Sequence, residues 1–301
     1  MENKFFVRNT GLINASGQDV IDFINRMSTN DLRKFPTEEF RKSVLTSDKG
    51  RIIDLINILN IKEKVLVLTT SGFEDKVIKH LDKYIIMDDV KLEKSLSNFR
   101  HIIVYGSDLS GLAKKMFNLE VKENKIYNPG NEEYLFIDDF KIETINVICN
   151  DEGVKKYSSI LSGNNVKEMN CTEYEQMRIK SGIPEGVNEF NDQINPMECG
   201  LERYISFKKG CYIGQEVIAR LDSQSKRPKQ MVLIRSGTEL ITQEKIFTEE
   251  NKEAGFVSSA IANDGRSEGL GFIRSINLDF QNNYFVDRNN EKIVIDISKI
   301  N

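Results

Sequence analysis

A short stretch with the sequence KKGCYIGQEVIAR, residues 208–220, has the residue types needed for thiol chemistry. Cys211 lies between Gly210 and Gly214, and these two glycines allow backbone conformations that a side chain would block. Lys208 and Lys209 precede the cysteine and bring positive charge to it in the sequence. Such a setting favours a thiolate, which is the form that attacks electrophiles and binds soft metals.

The residues after this cysteine have helical character from Gln215 onward. The positive end of a helix dipole favours a nearby thiolate, so the sequence predicts a lowered pKa for Cys211. Glu216 opposes this effect through its charge, but it can accept hydrogen bonds from a ligand. The alternative is a buried structural cysteine in a glycine-bounded turn, and the residues alone favour neither one.

Several other site chemistries lack suitable residues. The chain has four cysteines and two histidines, without a Cys-x-x-Cys pair, so we predict no zinc site and no resident metal. With only two histidines in the chain, there are few candidates for the base of a Ser/His/Asp or Cys/His hydrolase. His80 falls in a predicted helix and His101 at the start of an apolar strand, and we expect structural roles for both.

Composition indicates an ordinary globular protein. The 301 residues are 39% hydrophobic and 29% charged, with a formal net charge of −4. We therefore expect no direct nucleic-acid binding, and the basic stretch SQSKRPK, residues 223–229, is interpreted as a solvated connector. The N-terminal residues lack a signal-peptide pattern and no apolar run approaches ~20 residues, so we expect a cytoplasmic protein without membrane contact.

The elements that must position this chemistry alternate between strands and helices over the first two-thirds of the chain. Val20, Phe23, Ile24 and Met27 form one buried stripe of a helix. Residues 41–70 contain three β-rich runs, which predict an antiparallel meander. Ser71 with Glu74, and Thr172 with Glu175, have capping-box spacing.

From residue 229 onward the pattern is that of β-structure throughout. Short apolar strands alternate with turn signals at residues 263–265 and 289–290. The sequence therefore predicts two mixed sheets with helices, followed by a small C-terminal β-barrel.

The motif Lys209-Gly210-Cys211-Tyr212-x-Gly214-Gln215-Glu216 resembles the signature of the YgfZ family, and the resemblance extends beyond it. Similar elements are LINASGQDVIDFINRMSTND, TSDKGRIIDL, MRIKSGIPEG, NPMECGLERYISFKKG, GFVSSA and GLGFIR. The similarity is strongest over residues 172–221 and weakest over residues 110–150.

This resemblance implies a three-lobed α+β fold of the glycine cleavage T-protein type: two mixed α/β lobes and a small C-terminal β-barrel around a central channel. The corresponding boundaries are residues 1–228 for the folate-binding region and 229–301 for the barrel. The implied cofactor is tetrahydrofolate or a one-carbon derivative. The implied role is support of iron–sulfur cluster assembly or repair, with iron–sulfur proteins or assembly factors as transient partners and tRNA-modifying enzymes among the beneficiaries.

A folate-dependent aminomethyl or one-carbon transferase of the T-protein type is the alternative function. T-proteins carry paired aspartates after a glycine turn, and this chain has Ile53-Asp54 instead. They also lack the Lys-Gly-Cys signature, so we expect the accessory role.

The same resemblance yields candidate site residues. The catalytic candidates are Cys211, Lys209, Gln215 and Glu216, with iron ligation or redox chemistry expected of the thiol. A pterin needs a flat slot and a carboxylate at its amino-pyrimidine edge, and its glutamate tail needs a cation. The folate-binding candidates are Asp54, Arg178, Glu198, Tyr212, Gly210 and Gly214; for Arg178 a structural ion pair is the alternative, and for Asp54 an exposed strand face.

Overall fold

The computed structural model describes residues 2–62, 64–95, 99–224, 227–263 and 265–300. Part of the predicted basic connector, at residues 225 and 226, therefore lies outside the described residues. The chain divides into two compact units. The first comprises Met1–Asp48, Ile53–Asn170 and Tyr204–Gln215, and the second comprises Lys49–Ile52, Cys171–Arg203 and Glu216–Asn301.

The first unit is built from two sheets and their helices. Its elements in chain order are β1 (Lys4–Asn9), β2 (Gly11–Ser16), α1 (Val20–Met27), β3 (Glu39–Thr46), β4 (Ile52–Ile61), β5 (Lys64–Thr69), α2 (Glu74–Leu81), β6 (Lys91–Lys94), β7 (Arg100–Tyr105), α3 (Leu109–Phe117), β8 (Ile126–Gly130), β9 (Glu133–Asp138), β10 (Thr144–Cys149), α4 (Asp151–Gly163) and β11 (Lys167–Glu168).

The two sheets have different strand orders. One has the order β11-β1-β7-β10-β9-β8, and the other has the order β3-β4-β5-β2-β6. The predicted meander is confirmed, since β4 pairs antiparallel with β5 and β3 lies beside β4. The sheets share a hydrophobic core, in which the rings of Phe40 and Phe136 lie 4.4 Å apart between centroids.

Helix α1 begins directly after a turn and buries the stripe that its sequence predicts. Val20, Phe23, Ile24 and Met27 are all buried. An apolar stripe at this spacing gives a helix one face to pack on a sheet. The helix ends at Met27, and its last carbonyl groups become part of the candidate site described below.

Within its described residues, the second unit contains three α-helices and the predicted C-terminal barrel. Its helices are α5 (Cys171–Lys180), α6 (Gly186–Glu189) and α7 (Gln215–Ser223), the last beginning at the final residue of the first unit. The strands are β12 (Lys229–Ser236), β13 (Lys245–Thr248), β14 (Glu253–Asn263), β15 (Arg266–Arg274), β16 (Tyr284–Arg288) and β17 (Glu291–Ser298).

These six strands form a closed barrel in the order β12-β15-β14-β13-β16-β17. Closure removes the exposed sheet edges that would otherwise pair with other chains. The predicted turn at Asn289 and Asn290 is confirmed, with φ values of 55° and 67° that suit a tight hairpin. The predicted α+β class with two sheets and a terminal barrel is therefore confirmed. The boundary at residues 228/229 and the central channel stay predictions.

Gly182 follows α5 in a backbone conformation that favours glycine. Its φ is +65°, and a Cβ built there would lie 2.1 Å from Cγ2 of Ile300. Replacing Gly182 by alanine should lower the free energy of unfolding by about 1–3 kcal/mol, because the new methyl group strains the backbone and meets a packed side chain. Urea titration measures this loss.

Gly163 supplies the matched control for that substitution. It is the last residue of α4, and an added Cβ there meets nothing within 4 Å. Gly163→Ala should therefore change the free energy of unfolding by no more than about 0.5 kcal/mol. Equal losses in the two variants would contradict the conformational argument. Across the described residues, no helix is long and apolar enough to cross a membrane.

Candidate functional site

Cys211 is an exposed residue, whereas Cys149 and Cys199 are buried. The predicted helix after it is α7, and it begins at Gln215, four residues beyond the cysteine. Cys211 thus lies in the loop before the helix and not in its first turn, where the dipole acts most strongly. Glu216, in the first turn, is exposed. The structural alternative of a buried Cys211 is wrong.

Lys209 is buried beneath this loop, with 6% of its surface exposed. Its ammonium group donates to the backbone carbonyl oxygens of Asn25, Ser28 and Asn30, with a distance of 2.9 Å to Ser28. Burial lowers its pKa to about 8. The sequence assigns this charge to the thiol, and the structure instead gives it three carbonyl partners.

The two glycines of the motif have different roles. Gly214 has a φ of +82°, a conformation that favours glycine. A Cβ added to Gly210 would meet nothing within 4 Å, so space is open beside the loop at this position. Tyr212 is buried, and its ring centroid lies 5.4 Å from the Nζ atom of Lys209. The ring therefore helps to bury the lysine.

Asp54 is fully buried in β4, so the exposed-face alternative is wrong. One carboxylate oxygen accepts hydrogen bonds from the Thr70 hydroxyl at 2.7 Å and the Leu55 N–H at 3.0 Å; the other accepts from the Thr70 N–H at 2.9 Å. Burial raises its pKa to about 6, although the hydrogen bonds from Thr70 oppose the rise. Asp54 therefore changes its protonation state near neutral pH.

Two residues around Asp54 are not apparent in the sequence analysis. Thr70 follows β5, the strand next to β4, and lies 16 positions away in the chain. Lys76 on α2 donates to the Ile53 carbonyl at 2.9 Å, and its charge acts to lower the Asp54 pKa. Pairing of β4 with β5 brings Thr70 near Asp54, so the predicted meander indicates in part that Thr70 is a partner of Asp54.

Glu198 belongs to the second unit and is 1% exposed. It closes a capping box on the short 3₁₀ turn Pro196–Cys199, where its Oε2 atom accepts from the Asn195 N–H at 2.9 Å. Burial raises its pKa, and this rise is opposed by the backbone hydrogen bond from Asn195, by the charges of Lys229 and Arg51, and by a weaker interaction with the Lys229 backbone N–H. Within the described ranges, its Oε1 atom is buried and has no hydrogen-bond partner. Such an oxygen is a ready acceptor for a ligand N–H.

Arg178, in α5, is buried among protein partners. Its guanidinium contacts Glu175 at 2.7 Å and Glu189 at 3.3 Å, and it donates to the Ile183 carbonyl and the Ser259 hydroxyl at 2.8 and 3.1 Å. Burial acts to lower its pKa, but these carboxylates more than offset that effect, and the pKa is raised. This arrangement supports the structural ion pair rather than a contact with a folate tail.

The candidate residues therefore form separate groups. The loop around Cys211 and the buried Asp54 belong to the first unit. The buried side chains of Glu198 and Arg178, with their partners, belong to the second unit. In full, the first unit contains Asp54, Lys209, Gly210, Cys211, Tyr212, Gly214 and Gln215, and the second contains Arg178, Glu198 and Glu216. Among the described residues, no three His, Cys, Asp or Glu side chains are grouped in a way that holds a metal ion.

Residues 5–153 match the model of the GCVT N-terminal domain. The fold matches that of the crystal structure of glycine cleavage system aminomethyltransferase T from Bartonella henselae. The TM-score is 0.85, with 13% sequence identity, over 99% of this chain and 86% of that chain. The chain thus has the T-protein fold, with two mixed sheets and a closed barrel.

Curated relatives agree with this class. An aminomethyltransferase from Thermosipho melanesiensis is 23% identical over 283 residues, which is 89% of this chain and 76% of the relative. An Arabidopsis thaliana protein named "Putative transferase, chloroplastic" is 25% identical over 222 residues, 70% of this chain; the match spans only 51% of that relative's length. Together with the domain match, these relatives show that the chain is similar to aminomethyltransferases over most of its length.

Proposed function

We propose that this chain binds tetrahydrofolate or a one-carbon derivative of it. The observation that carries the proposal is the buried Oε1 atom of Glu198, which has no hydrogen-bond partner among the described residues. The amino-pyrimidine edge of a pterin presents N–H donors, and a carboxylate is the acceptor that suits them. Glu198 would therefore hold that edge.

Asp54 supports the proposal from the first unit. Its carboxyl group has a pKa of about 6 because of burial, so it can hold or release a proton at physiological pH. A bound tetrahydrofolate would supply ring nitrogens that accept a one-carbon unit. Within the first unit, Thr70 and Leu55 orient the carboxyl oxygens of Asp54, so Asp54 is the candidate proton-holding group for one-carbon transfer.

Glu198→Gln tests the folate site with little change in shape. It should weaken tetrahydrofolate binding by about 10- to 100-fold, because a charged hydrogen-bond partner is replaced by a neutral one. Isothermal titration calorimetry measures the affinity. Glu239→Gln, at an exposed position, is the matched control and should bind as the wild type does. Unchanged affinity in Glu198→Gln would remove Glu198 from the site.

Two activities are compatible with a folate site, and different observations favour them. The names of the relatives favour a tetrahydrofolate-dependent aminomethyl or one-carbon transferase, and they support it better than the accessory role. The exposed Cys211 in its signature loop favours an accessory protein for iron–sulfur cluster assembly or repair, with the cysteine as iron ligand or redox thiol. Ile53, where T-proteins have a carboxylate, also favours the accessory role.

A pair of substitutions distinguishes these activities. A transferase should consume an aminomethyl donor in the presence of tetrahydrofolate, and Asp54→Asn should abolish that reaction while Cys211→Ala leaves it intact. An accessory protein should instead depend on the thiol. In cells, Cys211→Ala should lower the activity of iron–sulfur enzymes, whereas Asp54→Asn should not. Transfer activity in the purified wild type would decide for the transferase, and its absence together with the cellular defect would decide for the accessory role.

A further inference from the structure

The loop that contains Cys211, residues 209–214 and here called the signature loop, donates hydrogen bonds to the carboxyl end of α1. Carbonyl groups in the last turn of a helix have no partner within the helix. Here the Asn25 carbonyl accepts from the Lys209 ammonium, and the Arg26 carbonyl accepts from the Ile213 N–H at 3.3 Å. Both donors come from a segment that follows α1 by more than 180 positions. The loop therefore acts as a C-terminal cap for a distant helix.

The ammonium of Lys209 occupies what we call the carbonyl cage, formed by the backbone oxygens of Asn25, Ser28 and Asn30. An ammonium group has three N–H donors, and the cage presents three acceptors. Burying a cation is costly unless it is fully hydrogen-bonded, so each of these contacts is needed to keep the buried ammonium stable. The negative end of the α1 dipole adds to the attraction.

Cys211 lies between two fixed points of the same loop. Lys209 holds one side through the carbonyl cage. Ile213 holds the other side, since its carbonyl oxygen accepts from the Thr46 hydroxyl at 2.6 Å and its N–H donates to Arg26. Between them Gly210 and Cys211 are exposed, with open space where a Gly210 side chain would stand. The backbone on both sides of Cys211 is therefore held by hydrogen bonds.

We propose that Lys209 is a positioning residue whose ammonium acts as a tethered cation in the carbonyl cage and holds the Cys211 thiol in one exposed conformation. A small primary ammonium ion has the same charge and three N–H donors. It should therefore bind the cage when the lysine side chain is removed. This inference does not depend on folate binding and stands whichever activity the chain has.

Fluorine NMR reports the conformation of the thiol directly. The protein carries Cys171→Ser, which removes the other exposed cysteine, and Cys211 is alkylated with bromotrifluoroacetone. The wild-type loop should give one narrow ¹⁹F resonance. Lys209→Ala should give a broadened or split resonance, because the loop is then fixed only at Ile213. Lys208→Ala, which removes an exposed neighbouring charge, should leave the resonance narrow.

Adding methylammonium chloride to Lys209→Ala tests why the resonance broadens. It distinguishes the loss of the cation in the carbonyl cage from a general loss of stability. It should restore a single narrow resonance in Lys209→Ala, whereas tetramethylammonium, which has no N–H donor, should not. Lys209→Met keeps an apolar stem in the cavity and should remain broadened with either salt; this variant also tests the proposal if the alanine variant does not fold. A narrow resonance in Lys209→Met, or equal effects of the two salts on Lys209→Ala, would overturn the proposal.

Discussion

Arg178→Met is expected to lower the free energy of unfolding by about 3–5 kcal/mol, because it leaves a buried carboxylate without its charge partner. Glu189 is fully buried, and the Arg178 guanidinium is 3.3 Å from it. Among the described residues, the other partners of the Glu189 carboxylate are neutral donors, the Ser259 hydroxyl at 2.8 Å and the Glu185 N–H at 3.1 Å. Urea titration followed by circular dichroism measures the loss.

The double variant Arg178→Met/Glu189→Gln supplies the control. Removing the second charge should recover most of the stability, because a buried amide costs less than an unpaired buried carboxylate. A loss below about 1 kcal/mol in Arg178→Met would contradict the ion-pair assignment. Tetrahydrofolate titration of the same variant separates the two roles considered for Arg178, since a structural arginine leaves the affinity of the folded protein unchanged.

Asp54→Asn is expected to change the pH dependence of stability by about 3 kcal/mol. The folded-state pKa of Asp54 is about 6, raised by burial from an ordinary 3.8, and a rise of that size corresponds to about 3 kcal/mol. A carboxyl with a raised pKa favours folding below pH 3.8, where it is protonated in both states. As pH rises toward 6, the unfolded state ionises first and this contribution is lost.

The stability of the wild type minus that of Asp54→Asn should therefore fall between about pH 4 and pH 7 and stay constant above. Urea titrations of both proteins across this range measure the difference. Asp75→Asn, at an exposed position of α2, is the control and should show a much smaller pH dependence. A difference that rises with pH would mean that the hydrogen bonds from Thr70 outweigh burial and that the Asp54 pKa is lowered.

The hydrophobic pattern of the sequence predicted which helices and strands form better than it predicted the residues at which the helices begin. The stripe of α1 and the alternation of the barrel strands were read correctly, because both reflect which face of an element is buried. The capping box at Ser71 and Glu74 is wrong: the residue before α2 is Phe73, and no side chain caps that helix. Thr172 lies inside α5, which begins at Cys171.

A capping box does occur where the sequence analysis placed only a ligand contact. Asn195 and Glu198 have the required spacing, and each side chain accepts from the other's backbone. The signal was present as Asn-Pro-x-Glu, with proline at the first position of the turn. This arrangement occupies only one oxygen of Glu198 and fixes the orientation of the other, so the structural and the ligand-binding roles of Glu198 are compatible.

The partners of the buried charged groups could not be predicted from local sequence. Arg178 meets Ser259 across 81 positions, and Lys209 meets the carbonyl cage across more than 175. Periodicity describes which face of an element is buried but not which distant element covers it. The direction of the Lys209 side chain therefore had to come from the structure.

Calorimetric titration of tetrahydrofolate into the wild type and into Cys211→Ala tests the central claim most directly. The chain contains no tryptophan, so heat is a better signal than intrinsic fluorescence. We expect saturable binding with the same affinity in both proteins, because the proposed contact with the amino-pyrimidine edge comes from Glu198 and not from the thiol. The absence of binding in both proteins would contradict the folate-binding function.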